Sequence, residues 1–513
     1  IGIGVAQLLA AADECDKKGE HLKSAYMFAA VGGQGTAGSA ELLHARESIQ
    51  KLEETGVGSA DTRALEARVL NALCISSGGD IQFGSELHKS ILARIAVIGA
   101  EGEDFDSLTA KLVAVGMSYL DLLGVTGNPH HVHMAAERLP AIFELVEAIF
   151  ENGVRAATVA PSRDLRVAVL TVTCWFGGLA YPALCKVPGW KQLHGADGKG
   201  ALLREICETY DFEADHSTFK SMFASNDIFM QGAAHLGLLL GWGDFFTVRK
   251  GFVKVVAGFQ AVAERVRKGE SDWADYVYEI WLSRMSLVAA LLLAEEKELL
   301  SEYVAHCGYA EVLTSDKACA AFKKHWSNPF AAWEMDGYRV SSLQGQLLHM
   351  RELVAWLEPA TDEANARLRA WLPSAAELLR ISKYETVWSI HNCGPAHVGL
   401  LGGALHGSRL GDWATAAEIA EGVLEISNAK FNPLVQIEAL RLLARSCTAR
   451  GMEAGATDAS ERALAVASEV SYPWMEMLVL RDMPGQQERL AQAISRVRAK
   501  PSELTSILRA RHL

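Results

Sequence analysis

Three glycines near the start of the chain have the spacing of a phosphate-binding loop. Gly33, Gly35 and Gly38, in the stretch VGGQGTAGS, match the G-x-G-x-x-G pattern with which a Rossmann fold binds the phosphates of a dinucleotide. That chemistry requires a β-strand directly before the glycines and a helix after them. The preceding residues, AYMFAAV, are rich in Ala and Met, which favours a helix. We therefore interpret the segment as a loop between two helices. An anion site at the start of the second helix, near Ser39, is the alternative.

A histidine cluster is the second candidate for chemistry. The stretch NPHHVH, residues 128–133, could supply neutral imidazoles to zinc, from His131 with a residue one turn further or from His130 and His133 with Glu137. However, Asn followed by Pro is also a common helix start, and consecutive helical residues point in different directions. We interpret the cluster as the start of a helix, with a metal site as the alternative.

The other catalytic signatures are missing or incomplete. The stretch GADGKG, Gly195 to Gly200, lacks both the four-residue spacing and the Ser or Thr of an ATPase phosphate loop. The sequence contains no G-x-S-x-G, H-E-x-x-H or C-x-x-C motif. Acidic pairs such as Glu295-Glu296 are expected on solvated helix surface. The sequence therefore predicts no catalytic, cofactor-binding or metal-binding site.

Acidic residues outnumber basic ones in this chain. The 62 Asp and Glu against 49 Lys and Arg give a net charge of −13. This balance argues against a general nucleic-acid binder, because phosphate binding requires clustered cations. Several basic residues are concentrated at the end of the chain, and we interpret them as a solvated helix face. They are Arg496, Arg498, Lys500, Arg509 and Arg511.

Cysteine usage and hydropathy bear on the compartment. The nine cysteines are scattered singly, which indicates small buried side chains in a reducing environment. No secretory signal peptide is recognisable, so we expect an intracellular, cytoplasmic protein, or an organellar one if the N-terminus is processed. The uncharged stretch Val167 to Leu184 approaches the length of a bilayer span. Because Gly177-Gly178 interrupts it, we interpret it as a buried helix.

Tryptophan is frequent in this chain, with 12 residues. Most are expected to pack between helices. Those that line a concave groove would anchor a partner peptide, since Trp is favoured where binding energy is concentrated. The cluster between the middle and the final third comprises Trp326, Trp333, Trp356, Trp371 and Trp388.

The elements that must position these residues are predicted to be helices. In PLVQIEALRLLARSCTARG, residues 433–451, apolar residues recur at steps of three and four, and residues 458–470 repeat the pattern. No long run alternates apolar with polar residues, as a half-buried strand would. We therefore predict an all-α protein.

One type of turn recurs along the chain. Gly79-Asp80-Ile81, Gly243-Asp244-Phe245 and Gly411-Asp412-Trp413 each place a glycine before an acidic and a large apolar residue, and Gly19-Glu20 is a looser copy. The glycine can end a helix in the left-handed conformation, and the acid can accept from free amides of the next helix. Three copies of one turn predict a repeated unit.

A longer similarity precedes two of these turns. The stretch Ala234-His235-Leu236-Gly237 matches Ala396-His397-Val398-Gly399. The small residues are expected to let neighbouring helices approach closely. His235 and His397 are expected to be packing or hydrogen-bonding residues rather than ligands, because each stands alone on an apolar stretch.

Two helix pairs of the final third resemble tetratricopeptide repeats. They match the W-x-x-L-G-x-x-Y and A-x-x-x-F-x-x-A positions of that family in small and apolar character rather than in identity. The matching residues are Leu440, Leu443, Ala444, Cys447, Ala456, Ser460 and Ala463 in one pair, and Leu400, Gly403, Ala404, Ala416 and Ala420 in the pair before it. The repeat length is about 40 residues, against 34 in the family, which implies longer helices.

The final third is also similar to a particular branch of this family. The stretches HVGLLGGALHGSRLGDW, NPLVQIEALRLLARSCTARG and SYPWMEMLVLRDM resemble the degenerate tetratricopeptide regions of large bacterial signalling proteins, such as multidomain adenylate cyclases and LuxR-type regulators. In those proteins the repeats follow an ATPase module. The resemblance therefore implies a region without catalysis of its own.

These observations predict an α-solenoid of about ten or eleven antiparallel helix pairs, a TPR-like superhelix. We expect N-terminal helical repeats over 1–185, an irregular, aromatic-rich helical middle over 186–340 and C-terminal TPR-like repeats over 341–513. The predicted function is a non-catalytic scaffold or assembly subunit that binds protein partners in a concave groove, without nucleic acid or a membrane span. The alternatives are the regulatory region of a larger signalling enzyme whose catalytic part lies outside this chain, and an all-helical enzyme or cofactor-binding subunit.

Overall fold

The structure is a computed structural model, and most of the residues that it describes lie in helices. It covers residues 5–32, 39–56, 60–75, 85–122, 139–163, 227–269, 287–326, 338–388, 394–430 and 433–500, with isolated residues between 165 and 208. The described residues are 85% helical and contain no β-strand. The all-α prediction is therefore confirmed for this part of the chain.

The chain folds into two compact units. The first comprises Ile1–Gly177 and Thr209–Met230, and the second comprises Gly178–Glu208 and Gln231–Leu513. The three-part division into 1–185, 186–340 and 341–513 stays a prediction.

Helices of the first unit pack against their neighbours in sequence. On α5, Ile91, Ile95 and Ile98 are fully buried, and their spacing of four and three residues places them on one face of the helix. The Ser85 hydroxyl begins α5 by accepting from the amide of His88 at 3.2 Å. The described helices are α1 (Val5–Lys17), α2 (His21–Gly32), α3 (Ser39–Glu54), α4 (Ala60–Ile75), α5 (Glu86–Ala100), α6 (Phe105–Leu122) and α7 (Leu139–Thr158).

The glycine-rich segment follows a helix, as predicted. α2 ends at Gly32 and α3 begins at Ser39, so the strand that a dinucleotide site requires before its glycines is replaced by a helix. Gly33, Gly35 and Gly38 themselves lie outside the described residues. So do the histidine cluster 128–133, the stretch 195–200 and the turn 79–81.

Helices of the second unit begin with α8 (Asp227–Trp242), which enters it at Gln231. They continue with α9 (Phe245–Arg267), α10 (Ala289–Leu293), α11 (Lys297–His306), α12 (Tyr309–Thr314), α13 (Asp316–Trp326), α14 (Tyr338–Leu357), α15 (Asp362–Trp371) and α16 (Ala375–Trp388). The last six are α17 (Val398–Leu410), α18 (Trp413–Lys430), α19 (Pro433–Ala449), α20 (Glu453–Glu469), α21 (Pro473–Asp482) and α22 (Gln487–Ser495).

Burial alternates along the last six helices. Every residue from Val398 to Gly407 of α17 is buried, and α19 and α21 are buried on nearly all sides. By contrast, α18 and α20 bury one face, which includes Ala416 and Ala420 on α18 and Ala463 on α20. The predicted apolar stripe is therefore confirmed on α20. On α19 the stripe is buried as well, but so are residues outside it, such as Glu438 and Arg441.

The predicted turn chemistry is confirmed at two of its three positions. Gly243 and Gly411 end α8 and α17 with φ of 59° and 73°, in the left-handed region that favours glycine. The Asp244 carboxylate accepts from the amide of Thr247 at 3.2 Å, and Asp412 caps the next helix in the same way.

The similar sequences around His235 and His397 do not occupy equivalent positions in the structure. His235 lies inside α8, whereas His397 precedes α17 with an extended backbone, so its side chain cannot occupy the same place on a helix. Both are fully buried, and His235 stacks on Phe252, in agreement with a packing role. The close approach predicted for the small residues is confirmed at Gly399, where an added Cβ would clash with the Ser382 hydroxyl.

The membrane alternative gains no support from the helices. None of those described combines the length and the apolar character needed to cross a bilayer. Most of Val167 to Leu184 lies outside the described residues.

Candidate functional site

Two of the clustered tryptophans have described side chains, and both pack between helices as expected for most of them. Trp356 and Trp371 are partly buried against Ala355, Leu368 and Leu405. Trp333 and the side chains of Trp326 and Trp388 lie outside the described residues.

Trp474 is the largest fully buried side chain among the described residues, and the sequence analysis did not single it out. Its indole N–H donates to the carbonyl of Leu293 at 3.0 Å, and its ring stacks on Phe245 at 5.2 Å between centroids. A buried Trp requires such an acceptor for its N–H. Trp474 therefore joins α21 to α9 and α10, far away in sequence.

The inner helices α17, α19 and α21 are covered by other parts of the chain. The Trp474 indole of α21 contacts the buried apolar segment Leu287 to Ala294, and Glu352 and Ser382 pack on α17. The binding of protein partners in a concave groove stays a prediction.

A buried ion network lies where α19, α21 and the turn after α10 meet. The Arg441 guanidinium donates to Glu438 at 2.6 Å and to Asp482 at 2.7 Å. Arg481 in turn lies 2.9 Å from Asp482 and 2.6 Å from Glu295. The network pairs charges from three parts of the chain in the interior, where an isolated charge would be strongly destabilising.

The network corrects one prediction. Glu295-Glu296 does not lie on solvated helix surface but in the turn between α10 and α11, where Glu295 has a φ of 56° and is buried beside Arg481. Glu296 is paired with Arg249 at 2.7 Å. The partner of Glu295 lies 186 residues further along the chain, so a local charge pattern could not reveal it.

Burial and pairing shift the pKa values of this network in different directions. Burial raises the pKa of the Asp482 carboxyl, but the charges of Arg441 and Arg481 outweigh it and lower that pKa to about 2. For Glu295 burial prevails over Arg481, and its pKa is raised. Burial lowers the pKa of Arg445, half-buried beside Arg441, to about 10, so it is still cationic at neutral pH.

These shifts predict a loss of stability in acid. The lowered pKa of Asp482 stabilises the fold above its unfolded value near pH 4, by about 2 kcal/mol, and this stabilisation is lost as the pH falls towards 2. Glu295 acts in the opposite sense, because its pKa is raised. We expect the thermal midpoint, measured by circular dichroism between pH 5 and 2.5, to fall less steeply in Asp482→Asn than in the unmodified chain. Parallel curves would contradict the assignment.

A polar stripe runs along the buried face of α14. Gln346, His349 and Glu352 are three residues apart and fully buried. The Glu352 carboxylate packs directly on α17, since a Cβ added at Gly402 would lie 2.6 Å from it. Neither amide atom of Gln346 has a hydrogen-bond partner among the described residues. Buried polar groups of this kind are usually satisfied by ordered water, so the stripe is a polar core layer.

The Asp244 turn carries more than a helix cap. The Asp244 carboxylate is fully buried and is paired with Arg204 and with Arg498, the latter at 3.0 Å. In addition, the Arg498 amide donates to the Gly243 carbonyl at 2.9 Å, and the Phe246 amide donates to the Arg498 carbonyl at 2.8 Å. The segment 496–500 is thus fixed along the turn between α8 and α9.

This contact corrects the interpretation of the basic ending. α22 ends at Ser495, so Arg496, Arg498 and Lys500 do not form a helix face. Arg496 is paired with the buried carboxylate of Glu476, and Arg498 with Asp244. The amides of Arg496 and Val497 still bond to carbonyls three residues before them, whereas the Arg498 amide bonds to the carbonyl of Gly243 in the distant turn. Arg509 and Arg511 lie outside the described residues.

Possible metal ligands and cysteines are the remaining chemical groups of the described residues. No group of three or more His, Cys, Asp or Glu in the described ranges is arranged to hold a metal ion. Among the described side chains, Cys307 and Cys447 are buried and Cys15 and Cys319 are partly buried, and none of these four forms a disulfide.

Comparisons with protein families, with curated proteins and with solved structures give no match to this chain.

Proposed function

We propose that the chain is a non-catalytic protein-interaction scaffold built from TPR-like antiparallel helix pairs that stack as a solenoid. The observation that carries the proposal is the alternation of burial along the last six helices. α17, α19 and α21 are enclosed, whereas α18 and α20 are amphipathic and face solvent on one side. Stacked helix pairs produce this pattern, because inner helices meet neighbours on both sides and outer helices on one.

The turns support the same proposal. One Gly-Asp-aromatic turn connects α8 to α9 and α17 to α18, with the same glycine conformation and the same acidic cap. A unit that recurs with its connection is typical of repeat proteins, which bind partners over an extended surface.

The regulatory region of a larger signalling enzyme remains the second candidate function. It rests on the resemblance of α17 to α21 to the repeats that follow an ATPase module. A catalytic module encoded in the same reading frame, with turnover that changes when a partner binds to the repeats, would favour it. Turnover by the purified chain alone would contradict both candidates.

The proposal is tested with the full chain as bait. Proteins captured from the native source are compared with those captured by a helical protein of similar charge. Each specific candidate is then purified and titrated into the chain by calorimetry. We expect one partner to bind saturably with a dissociation constant in the micromolar range or below, the range of standard protein interfaces. If no purified candidate binds, the scaffold proposal is wrong.

A further inference from the structure

The turn between α10 and α11 is attached to α21 at two points. The Glu295 carboxylate accepts from the Arg481 guanidinium at 2.6 Å, and the carbonyl of Leu293 accepts from the Trp474 indole at 3.0 Å. Leu293 is the last residue of α10 and Glu295 follows two residues later, whereas both of their partners belong to α21. These two bonds are called the α10–α21 contact below.

Glu295 is strained in its backbone and incompletely bonded in its side chain. Its φ of 56° lies in the left-handed region, which is unfavourable for a residue with a Cβ. Its side chain is only 8% exposed, and its Oε2 atom has no hydrogen-bond partner among the described residues. An ionised carboxyl in this position is costly, because burial removes the water that would solvate the charge.

Three carboxylates share two guanidinium groups in the ion network. Glu295 lies at one end, and its carboxylate is paired among the described residues with Arg481 alone, which also binds Asp482. Arg445, the third arginine, donates to a backbone carbonyl at 3.4 Å. The remaining members are Glu438 at the opposite end and Arg441 between Glu438 and Asp482. A buried acid that shares its cation with a second acid is the one that a proton neutralises most readily.

Three charged groups act on the Glu295 carboxyl from the helices around it. Arg481 and Asp482 approach it from α21, and Arg441 lies on α19. The two arginines favour the carboxylate, whereas burial and Asp482 favour the carboxylic acid. Burial is the largest of these influences, and the pKa of Glu295 is raised above its ordinary value of 4.5.

The other elements next to this carboxyl add weaker influences. Glu296 of the same turn is paired with Arg249 of α9, and Lys297 and Glu298 of α11 are exposed. The short helix Gly394–Ala396, which also packs on α10, contains no titratable side chain. The protonation state of the carboxyl is therefore decided within the ion network.

We propose that the α10–α21 contact is a proton-dependent conformational switch, closed when Glu295 carries a proton and loosened when Glu295 is ionised. A closed turn buries the carboxyl, whereas an open turn returns it to water and to its ordinary pKa. The closed form therefore binds the proton more tightly, and proton uptake favours closure by linkage. Because Leu293 lies in the same contact, the proton also controls the attachment of α10 to Trp474.

The direction of the shift defines the pH range of the switch. As the pH falls from 8 to 5, the closed turn takes up a proton that the open turn binds only around pH 4.5, so closure becomes more favourable. One proton changes the opening equilibrium by at most about tenfold per pH unit. Asp482 acts in the opposite sense, but only as the pH falls towards and below its ordinary pKa of 3.8. The range from pH 8 to 5 therefore isolates Glu295.

The test is hydrogen exchange of peptides from residues 291–300 of the full chain, measured by mass spectrometry and corrected for the intrinsic rate at each pH. We expect the opening equilibrium constant of the unmodified chain to fall about threefold or more between pH 8 and 5, the change that a pKa difference of about one unit produces. Glu295→Gln, which is neutral and of similar shape, should not change with pH. At pH 8 it should open as rarely as the unmodified chain does at pH 5.

The matched control is Glu298→Gln, which neutralises an exposed carboxyl three residues further along the chain. It should retain the full pH dependence. An opening equilibrium of the unmodified chain that stays constant or increases towards acid would overturn the proposal, and so would a pH dependence that persists in Glu295→Gln. The first of these results requires no variant, so the proposal can fail even where Glu295→Gln does not fold.

Discussion

Replacing Arg441 with Met is expected to lower the opening free energy of the region around α19 and α21 by about 3 to 5 kcal/mol. The guanidinium is buried and is the only group that contacts both Glu438 and Asp482 among the described residues. Its removal leaves three carboxylates, those of Glu438, Asp482 and Glu295, facing Arg481 and the more distant Arg445. An uncompensated buried charge is the costly outcome, more than the lost hydrogen bonds.

A second variant separates charge balance from packing. Arg441→Met combined with Glu438→Leu removes one cation and one anion, so Asp482 and Glu295 keep Arg481 as their partner. We expect this double variant to be more stable than Arg441→Met alone, which is the non-additivity of residues in one network. Arg462→Met is the control, because Arg462 forms an exposed pair with Asp458 and its loss should cost no more than about 1 kcal/mol.

Hydrogen exchange measured by mass spectrometry suits this comparison. It reports opening free energies for peptides from α19 and α21 separately, whereas a chain with two units need not unfold in one step. Equal exchange in Arg441→Met and Arg462→Met would show that the network does not stabilise the fold. A double variant less stable than the single one would show that Glu438 acts through packing rather than charge.

Local chemistry made much of this fold predictable. A glycine that requires positive φ and an acid that caps the next helix are interactions within four residues, so Gly411-Asp412 identified its turn without knowledge of its neighbours. The helices on either side of the glycine-rich segment were predictable for the same reason, since Ala and Met favour helix wherever they occur together.

The contacts between residues distant in sequence were not predictable in this way. The Trp474 indole donates to the carbonyl of Leu293, 181 residues earlier in the chain. The Arg498 guanidinium donates to Asp244, 254 residues earlier. A periodic pattern states which face of a helix is apolar but not which distant element covers it. For that reason the sequence predicted a solvated helix face for Arg496 and Arg498, which are paired with buried carboxylates. It likewise predicted a surface position for Glu295, which is paired with the buried Arg481.

The two Asp turns offer a matched pair that isolates the long-range contact. Asp244 and Asp412 follow glycines of similar conformation, and each accepts from an amide three residues further on. They differ in surroundings, since Asp244 is fully buried beside Arg204 and Arg498, whereas the side chain of Asp412 is 45% exposed. Any difference between their substitutions therefore reports the contacts of Asp244 beyond the cap.

We expect Asp412→Ala to cost about 1 kcal/mol, the usual value of a helix cap. Asp244→Ala should cost about 2 to 3 kcal/mol, because it also removes the buried carboxylate that binds Arg204 and Arg498. Asp244→Asn retains an acceptor for the Thr247 amide, so it should lose mainly the stability that comes from the ion pairs with Arg204 and Arg498. Hydrogen exchange of the amides of Phe246 and Arg498, which bridge the turn and the segment 496–500, should accelerate in both Asp244 variants and not in Asp412→Ala. If Asp244→Ala and Asp412→Ala lose equal stability, the pairing with Arg498 does not fix this segment.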